Sequence, residues 1–326
     1  MIELQDFLEI DLPALATGTL AALACGLLGN FLLLQRQSLL GDAVSHVVLP
    51  GIVVAFLLTG SSGTTPMLLG AAAAALLSVV LTETVQRAAR IEPGAAMGIV
   101  LTGMFALGVV LLEQSDARSV HLDVQHALMG SLEGIVWLGA RDWGALLDPQ
   151  QLAALPEPLL RLSGVLAAVL LLLTALRKEL AITVFDPGHA ASLGIPARGL
   201  ALTLLLASAA AAVAAFDAVG AIVTIAMFVC PAATARMLTD RLDRQIRLSA
   251  AVAVLAGVVG YAAAAWAPLV LGLERGLGAA GMIAVVAGTL QGLSILLAPR
   301  YGVLARLRSR RGPAATGMER WGGAGR

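Results

Sequence analysis

Apolar residues run through this chain in long blocks separated by short polar breaks. The blocks fall at 14–35, 39–59, 66–86, 94–113, 159–176, 199–216, 218–236, 247–268 and 278–297. Each is near the roughly 20 residues that a helix needs to cross the hydrocarbon core of a bilayer. The pattern predicts an all-α polytopic membrane protein with about nine transmembrane helices within residues 1–300. Residues 301–326 form an Arg- and Gly-rich tail that reads as a disordered cationic extension. Only Phe216-Asp217-Ala218-Val219-Gly220 parts the sixth and seventh blocks, so a single long kinked helix is the alternative there.

Charge supports the alternation of nine spans. Arg36, Arg87, Arg90, Arg177, Lys178, Arg198, Arg236, Arg241, Arg244, Arg247 and the tail fall on one side. Of the 21 basic residues, only Arg118, Arg141, Arg161 and Arg275 fall on the other. The positive-inside rule then places the N-terminus outside and the C-terminus in the cytoplasm. Two connections are longer than turns. Residues 114–158 form an external segment, in which Trp137 and Trp143 predict a part lying at the membrane interface. Residues 177–197 are cytoplasmic. There Asp186 before Pro187 reads as a helix start, and Gly194 and Pro196 as its stop. The short helix between them suits docking against another protein.

Composition agrees with a membrane chain: 59% hydrophobic, 13% charged, mean hydropathy +0.89. The formal net charge of zero gives no electrostatic case for nucleic acid. Cys25 and Cys230 lie in apolar blocks and read as small buried hydrophobes. The only lysine, Lys178, is followed by Glu179, which excludes a phosphate-binding loop of the GxxxxGK(S/T) kind. None of His46, His121, His126 and His189 sits in the HExxH of a metalloprotease. The first residues, with Glu3, Asp6, Glu9 and Asp11, lack the basic stretch of a signal peptide.

The second block carries the chemistry. Asp42 and His46 are four residues apart, about one helical turn, and so share a face of an otherwise apolar helix. A charged group in the bilayer core costs several kcal/mol unless it faces water or protein, and carboxylate with imidazole is a ligand pair for first-row divalent metals. The competing reading is that Asp42 caps the helix and His46 satisfies it. Pro50-Gly51, a turn further on, bends the helix and frees backbone carbonyls. Four other residues have a metal reading beside a bland one: Glu113 at an external helix end, Asp217 in the break after the sixth block, and His121 and His126 flanking Asp123 in the external segment. Pro231 is either a packing kink or a gating element.

The stretch Leu39-Leu40-Gly41-Asp42-Ala43-Val44-Ser45-His46-Val47-Val48-Leu49-Pro50-Gly51 closely resembles the second-helix motif of the zinc/manganese/iron permeases of ABC transporters, the ABC-3 family. Two later blocks agree in order: Phe185-Asp186-Pro187 with Ala191-Ser192-Leu193-Gly194-Ile195-Pro196, and Phe216-Asp217-Ala218-Val219-Gly220 through Pro231-Ala232-Ala233-Thr234-Ala235-Arg236. The resemblance covers about residues 14–300. It implies a permease fold like that of the vitamin B12 type (type II) importer, in a bacterial plasma membrane. It further implies a second permease subunit (homodimer or heterodimer), a cytoplasmic ABC ATPase that binds the ATP, and an extracytoplasmic metal-binding protein. Asp42 and His46 become the metal contacts. Phe185, Asp186, Pro187, Ala191, Leu193 and Gly194, within 185–196, become the ATPase coupling segment. The cargo is Mn, Zn or Fe as a divalent ion, with no permanently bound cofactor and no enzymatic activity in this chain. The alternative is an ATP-independent secondary metal ion/proton transporter. The sequence departs from the family where Glu and an aromatic commonly follow Asp-Pro; Gly188-His189 stand there.

Overall fold

Helices that cross a membrane must satisfy their own backbone, and this chain does so with punctuation visible in its sequence. In a computed structural model of the chain, residues 4–37, 39–60, 64–114, 132–139, 142–272, 277–299 and 301–305 are described. His121, Asp123, His126 and the tail beyond 305 lie outside them. A turn Leu4–Asp6 and a π-helical stretch Phe7–Asp11 lead into α1 (Leu12–Leu34), whose first turn holds Pro13. Then follow α2 (Leu40–Thr59), α3 (Thr64–Ala89) and α4 (Pro93–Gln114). After them come α5 (Glu157–Ala175), α6 (Arg177–Phe185), α7 (Pro187–Ser192), α8 (Ala197–Leu238), α9 (Leu242–Leu271) and α10 (Ala279–Leu297). Among the described residues, eight helices are long and apolar enough to cross a membrane.

The difference from nine lies in α8. Its 42 residues would extend about 63 Å if straight, twice the bilayer core. It is not straight, because Gly220 has φ 81° and ψ 169°, outside helical space. Contacts show the chain turning back there. Asp217, just before the break, pairs with Arg161 in the first turns of α5. Asp243, just after α8, pairs with Arg177 beyond the other end of α5. The sixth and seventh predicted blocks are thus two arms of one run, 197–219 and 221–238, joined at Gly220.

α8 also joins the two halves of the bundle. On one side it packs along α1, which further meets α5 and α9, while α10 lies against α8 and α9. On the other side it meets α2 and α3, which with α4 form a trio. Small residues permit the tightest contacts in the trio. A Cβ on Gly51 would stand 2.3 Å from the Gly70 carbonyl oxygen of α3, and one on Gly108 of α4 would stand 2.8 Å from Pro50 Cδ. In lipid such close packing, rather than hydrophobic expulsion from water, drives helices together.

Polar pairs fix the register of the other half. At one end Tyr261 donates to Asp11 (2.7 Å), the Glu133 carboxylate accepts from the Ala279 amide at the start of α10 (2.7 Å), and Arg161 bridges Asp217 and Glu157. Toward the other end, fully buried Gln245 donates to Asn30 (3.1 Å), and Ser249 to the Gly26 carbonyl (3.0 Å). The segment after 131 closes over the first end. Trp137 is not at a lipid interface. Its ring is buried with Leu8 and Ala145, and its indole N–H donates to the Gln151 carbonyl at 3.0 Å, so protein supplies the partner that headgroups would have given. Trp143 is half-exposed and lies against Phe7.

The Gly220 geometry is open essentially to glycine alone, and a side chain there costs about 1–3 kcal/mol. Gly220→Ala should therefore lower the thermal midpoint of the detergent-solubilised chain, whereas Gly98→Ala, where a Cβ meets nothing within 4 Å, should not. Equal midpoints for the two variants would show that the turn tolerates a side chain.

Candidate functional site

α2 begins without a side-chain cap: Leu39 is its N-cap residue, and the Asp42 carboxylate sits inside the first turn. That position favours a negative charge through the helix dipole, but it leaves the carboxylate free of a capping bond. His46 lies one turn on. Its Nε2 stands 3.7 Å from Asp42 Oδ1, too far for a hydrogen bond. The two side chains are 50% (His46) and 47% (Asp42) exposed, although Val44 and Val47 beside them are fully buried. Asp42 and His46 therefore stay half open at the start of α2, between residues that are buried.

That spacing is close to what one ion requires. Two donors each about 2.1 Å from a tetrahedral metal lie roughly 3.4 Å apart, so closing a few tenths of an ångström would bring both onto one ion. Yet two donors do not make a closed site. Among the described residues no group of three or more His, Cys, Asp or Glu side chains is placed to hold a metal. An ion held there would need its remaining positions filled by water or by another chain.

The other candidates are placed differently. Asp217 is engaged by Arg161 at 2.5 Å, with both side chains about a quarter exposed. Glu113 is exposed in the last turn of α4. Pro231 is buried within helical backbone, facing Gly26 of α1 closely enough that a Cβ there would come 3.4 Å from its ring. Pro50 lies in α2 without ending it, and Gly51 supplies the close approach to α3.

A second candidate element follows α6, beyond the C-terminal end of α5. The Asp186 side chain accepts from the His189 amide at 2.8 Å, and Pro187 occupies the first turn of α7, as the sequence predicts. The helix is shorter than two turns, because Ile195 N–H already returns to the Ala190 carbonyl at 3.0 Å and Gly194 takes a positive φ. Ala190 is buried, anchoring α7 against α6, while Phe185 (57%), Leu193 (56%), Asp186, Pro187, Ala191 and Gly194 are exposed. The capped helix is thus flanked by two exposed apolar side chains, Phe185 and Leu193.

Sequence reasoning passed over two features. Asn30, a lone amide in an apolar block, signals the Asn30–Gln245 pair. Phe105 carries no signal, yet its ring meets His46 edge-on, with centroids 5.6 Å apart and planes at 81°.

The chain is similar to known membrane subunits over most of its length. It is 36% identical over 292 residues to the manganese transport system membrane protein MntD of Bacillus subtilis, covering 90% of this chain and 93% of that one. It is 36% identical over 285 residues to the zinc transport system membrane protein TroD of Treponema pallidum (87% and 73%). It is 34% identical over 247 residues to the chelated iron transport system membrane protein YfeD of Yersinia pestis (76% and 74%). Among solved structures it superimposes on PsaBC from Streptococcus pneumoniae in complex with Fab, with a TM-score of 0.69 and 27% identity, covering 91% of this chain and 94% of that one. It shares the fold of an inward-facing putative metal-chelate type ABC transporter at a TM-score of 0.62 and 16% identity, covering 89% of this chain and 87% of that one. The profile of the ABC 3 transport family matches residues 8–137 and 150–295, and with a match of that extent the chain belongs to that family of membrane transport subunits.

Proposed function

We propose that this chain is the permease subunit of an ATP-driven importer of a divalent transition metal ion, Mn²⁺, Zn²⁺ or Fe²⁺. The observation that carries the reading is the half-exposed Asp42–His46 pair on an otherwise apolar, membrane-length helix. Such a pair does not face lipid; it faces a path, and two such pairs meet when a second permease subunit, identical or related, packs against this face. Two donors per chain bind an ion and still release it, as a carrier must.

Energy enters from a separate ATPase. The exposed rim formed by Phe185, Leu193 and their neighbours is the contact through which its closure is passed to the helices, which rock between outward- and inward-open states. This end lies in the cytoplasm of a bacterial cell, with the N-terminus outside, a reading supported by the basic residues around Arg177, Arg198, Arg236, Arg241, Arg244 and Arg247. The opposite end receives the ion from an extracytoplasmic metal-binding protein.

Three outcomes follow. Asp42→Ala or His46→Ala abolishes metal uptake by cells that lack and regain this chain, with membrane levels unchanged; normal uptake by both variants removes the pair from the path. Single cysteines at 185 and 193, in a background without Cys25 and Cys230, cross-link to the ATPase, and replacing Asp186 and Pro187 by Ala uncouples ATP hydrolysis from uptake; cross-links arising only from 87–93 would assign the contact to another loop. A reporter fused to Arg326 that fluoresces only in the cytoplasm lights up; a dark but inserted fusion would invert the topology and with it the coupling assignment.

A further inference from the structure

Nothing on α2 holds the His46 ring in place. Among the described residues no hydrogen bond reaches it, and Asp42 Oδ1 is 3.7 Å from Nε2. Rotation of an imidazole about its outer bond is soft and broad, so an unsupported ring presents Nε2 over a wide arc. The contact that narrows the arc comes from α4, where Phe105 meets the imidazole nearly perpendicularly at 5.6 Å.

The meeting is set by the backbone. Gly108 lets α4 approach the ring of Pro50 so closely that a Cβ would sit 2.8 Å from Pro50 Cδ. Phe105 precedes Gly108 by three residues and His46 precedes Pro50 by four, so the two rings meet one turn from that crossing and on the same side of it. Gly51 against Gly70 locks the other flank of α2 to α3. Phe105 is 41% exposed, so its ring packs only in part against the bundle, and the aromatic contact it makes is with His46.

We propose that Phe105 is a positioning residue for metal passage, holding the His46 imidazole so that Nε2 stays turned toward Asp42. The proposal rests on reading Asp42 and His46 as metal donors. Its contribution is orientation, so it affects how well the imidazole binds an ion and leaves insertion of the chain untouched. An edge-on aromatic pair of this kind corresponds to a change of roughly threefold to tenfold in binding.

The test is a Co²⁺ titration of the full purified chain, followed by the visible absorption of the bound ion, with uptake measured in parallel. His46→Ala abolishes the Co²⁺ spectrum. Phe105→Leu, which keeps apolar volume but lacks a ring, weakens Co²⁺ binding by roughly threefold to tenfold. Phe105→Tyr, which keeps the ring, restores it to within about twofold of the unaltered chain. If Phe105→Leu binds Co²⁺ normally while His46→Ala does not, the positioning role is overturned and the donor reading stands. Equal losses in the Leu and Tyr variants, or failure of both to reach the membrane, assign Phe105 to packing and also overturn it. A Co²⁺ spectrum that does not depend on His46 in the unaltered chain overturns the donor reading, and the proposal with it.

Discussion

Contact between helix backbones, permitted by missing side chains, is the constraint on which this structure depends. In a bilayer the lipid tails are as apolar as leucine, so helices associate only where they fit more closely to each other than to lipid. Gly51 against Gly70 and Gly108 against Pro50 give α2 two such contacts on adjacent flanks. Pro50 continues the stripe of Asp42 and His46 at four-residue spacing, so the Gly108 contact also brings α4 beside His46, while both side chains keep about half of their surface open. The arrangement of the donor pair is thus decided by residues that carry no chemistry.

Polar groups have a complementary task. Arg161–Asp217, Tyr261–Asp11 and Gln245–Asn30 join elements distant in sequence, at positions where an unpaired partner costs far more than the pair returns. Their value is therefore in register more than in stability. The Arg161 contact is placed beside the Gly220 turn, where the chain must reverse direction without a loop. The glycine supplies the conformation, and the ion pair fixes the turn to α5.

The features legible in the sequence are those governed by local rules. Block length and hydropathy gave the spans, because a helix in lipid has a fixed length to cover. Asp186-Pro187 announced α7, because capping is decided within four residues. Phe216 to Gly220 announced the break in α8, though only the contacts of Asp217 and Asp243 show the arms turning back on each other. What sequence could not supply was everything set between helices. Trp137 has the same indole whether it meets a headgroup or the Gln151 carbonyl, and only the fold brings residues 8, 137 and 145 together. The pairing of Asp217 with Arg161 spans 56 residues and has no local signature. Phe105 looks like any lipid-facing aromatic until the crossing of α2 and α4 sets it beside His46.

The donor geometry itself fits transport better than storage. A structural metal site closes four ligands around the ion and gains its full binding free energy; an ion so held does not leave. Here one chain offers a carboxylate and an imidazole 3.7 Å apart, near the separation an ion requires but not locked to each other. A small relative movement of α2 between two permease subunits would then change the number of donors an ion meets, and hence its affinity, without breaking any bond within the chain. Because α2 is held to α3 and α4 through Gly51 and Gly108, such a movement carries the whole trio as a body. Under the proposed coupling through α7, a rocking of helices would in this way be converted into capture on one side of the membrane and release on the other.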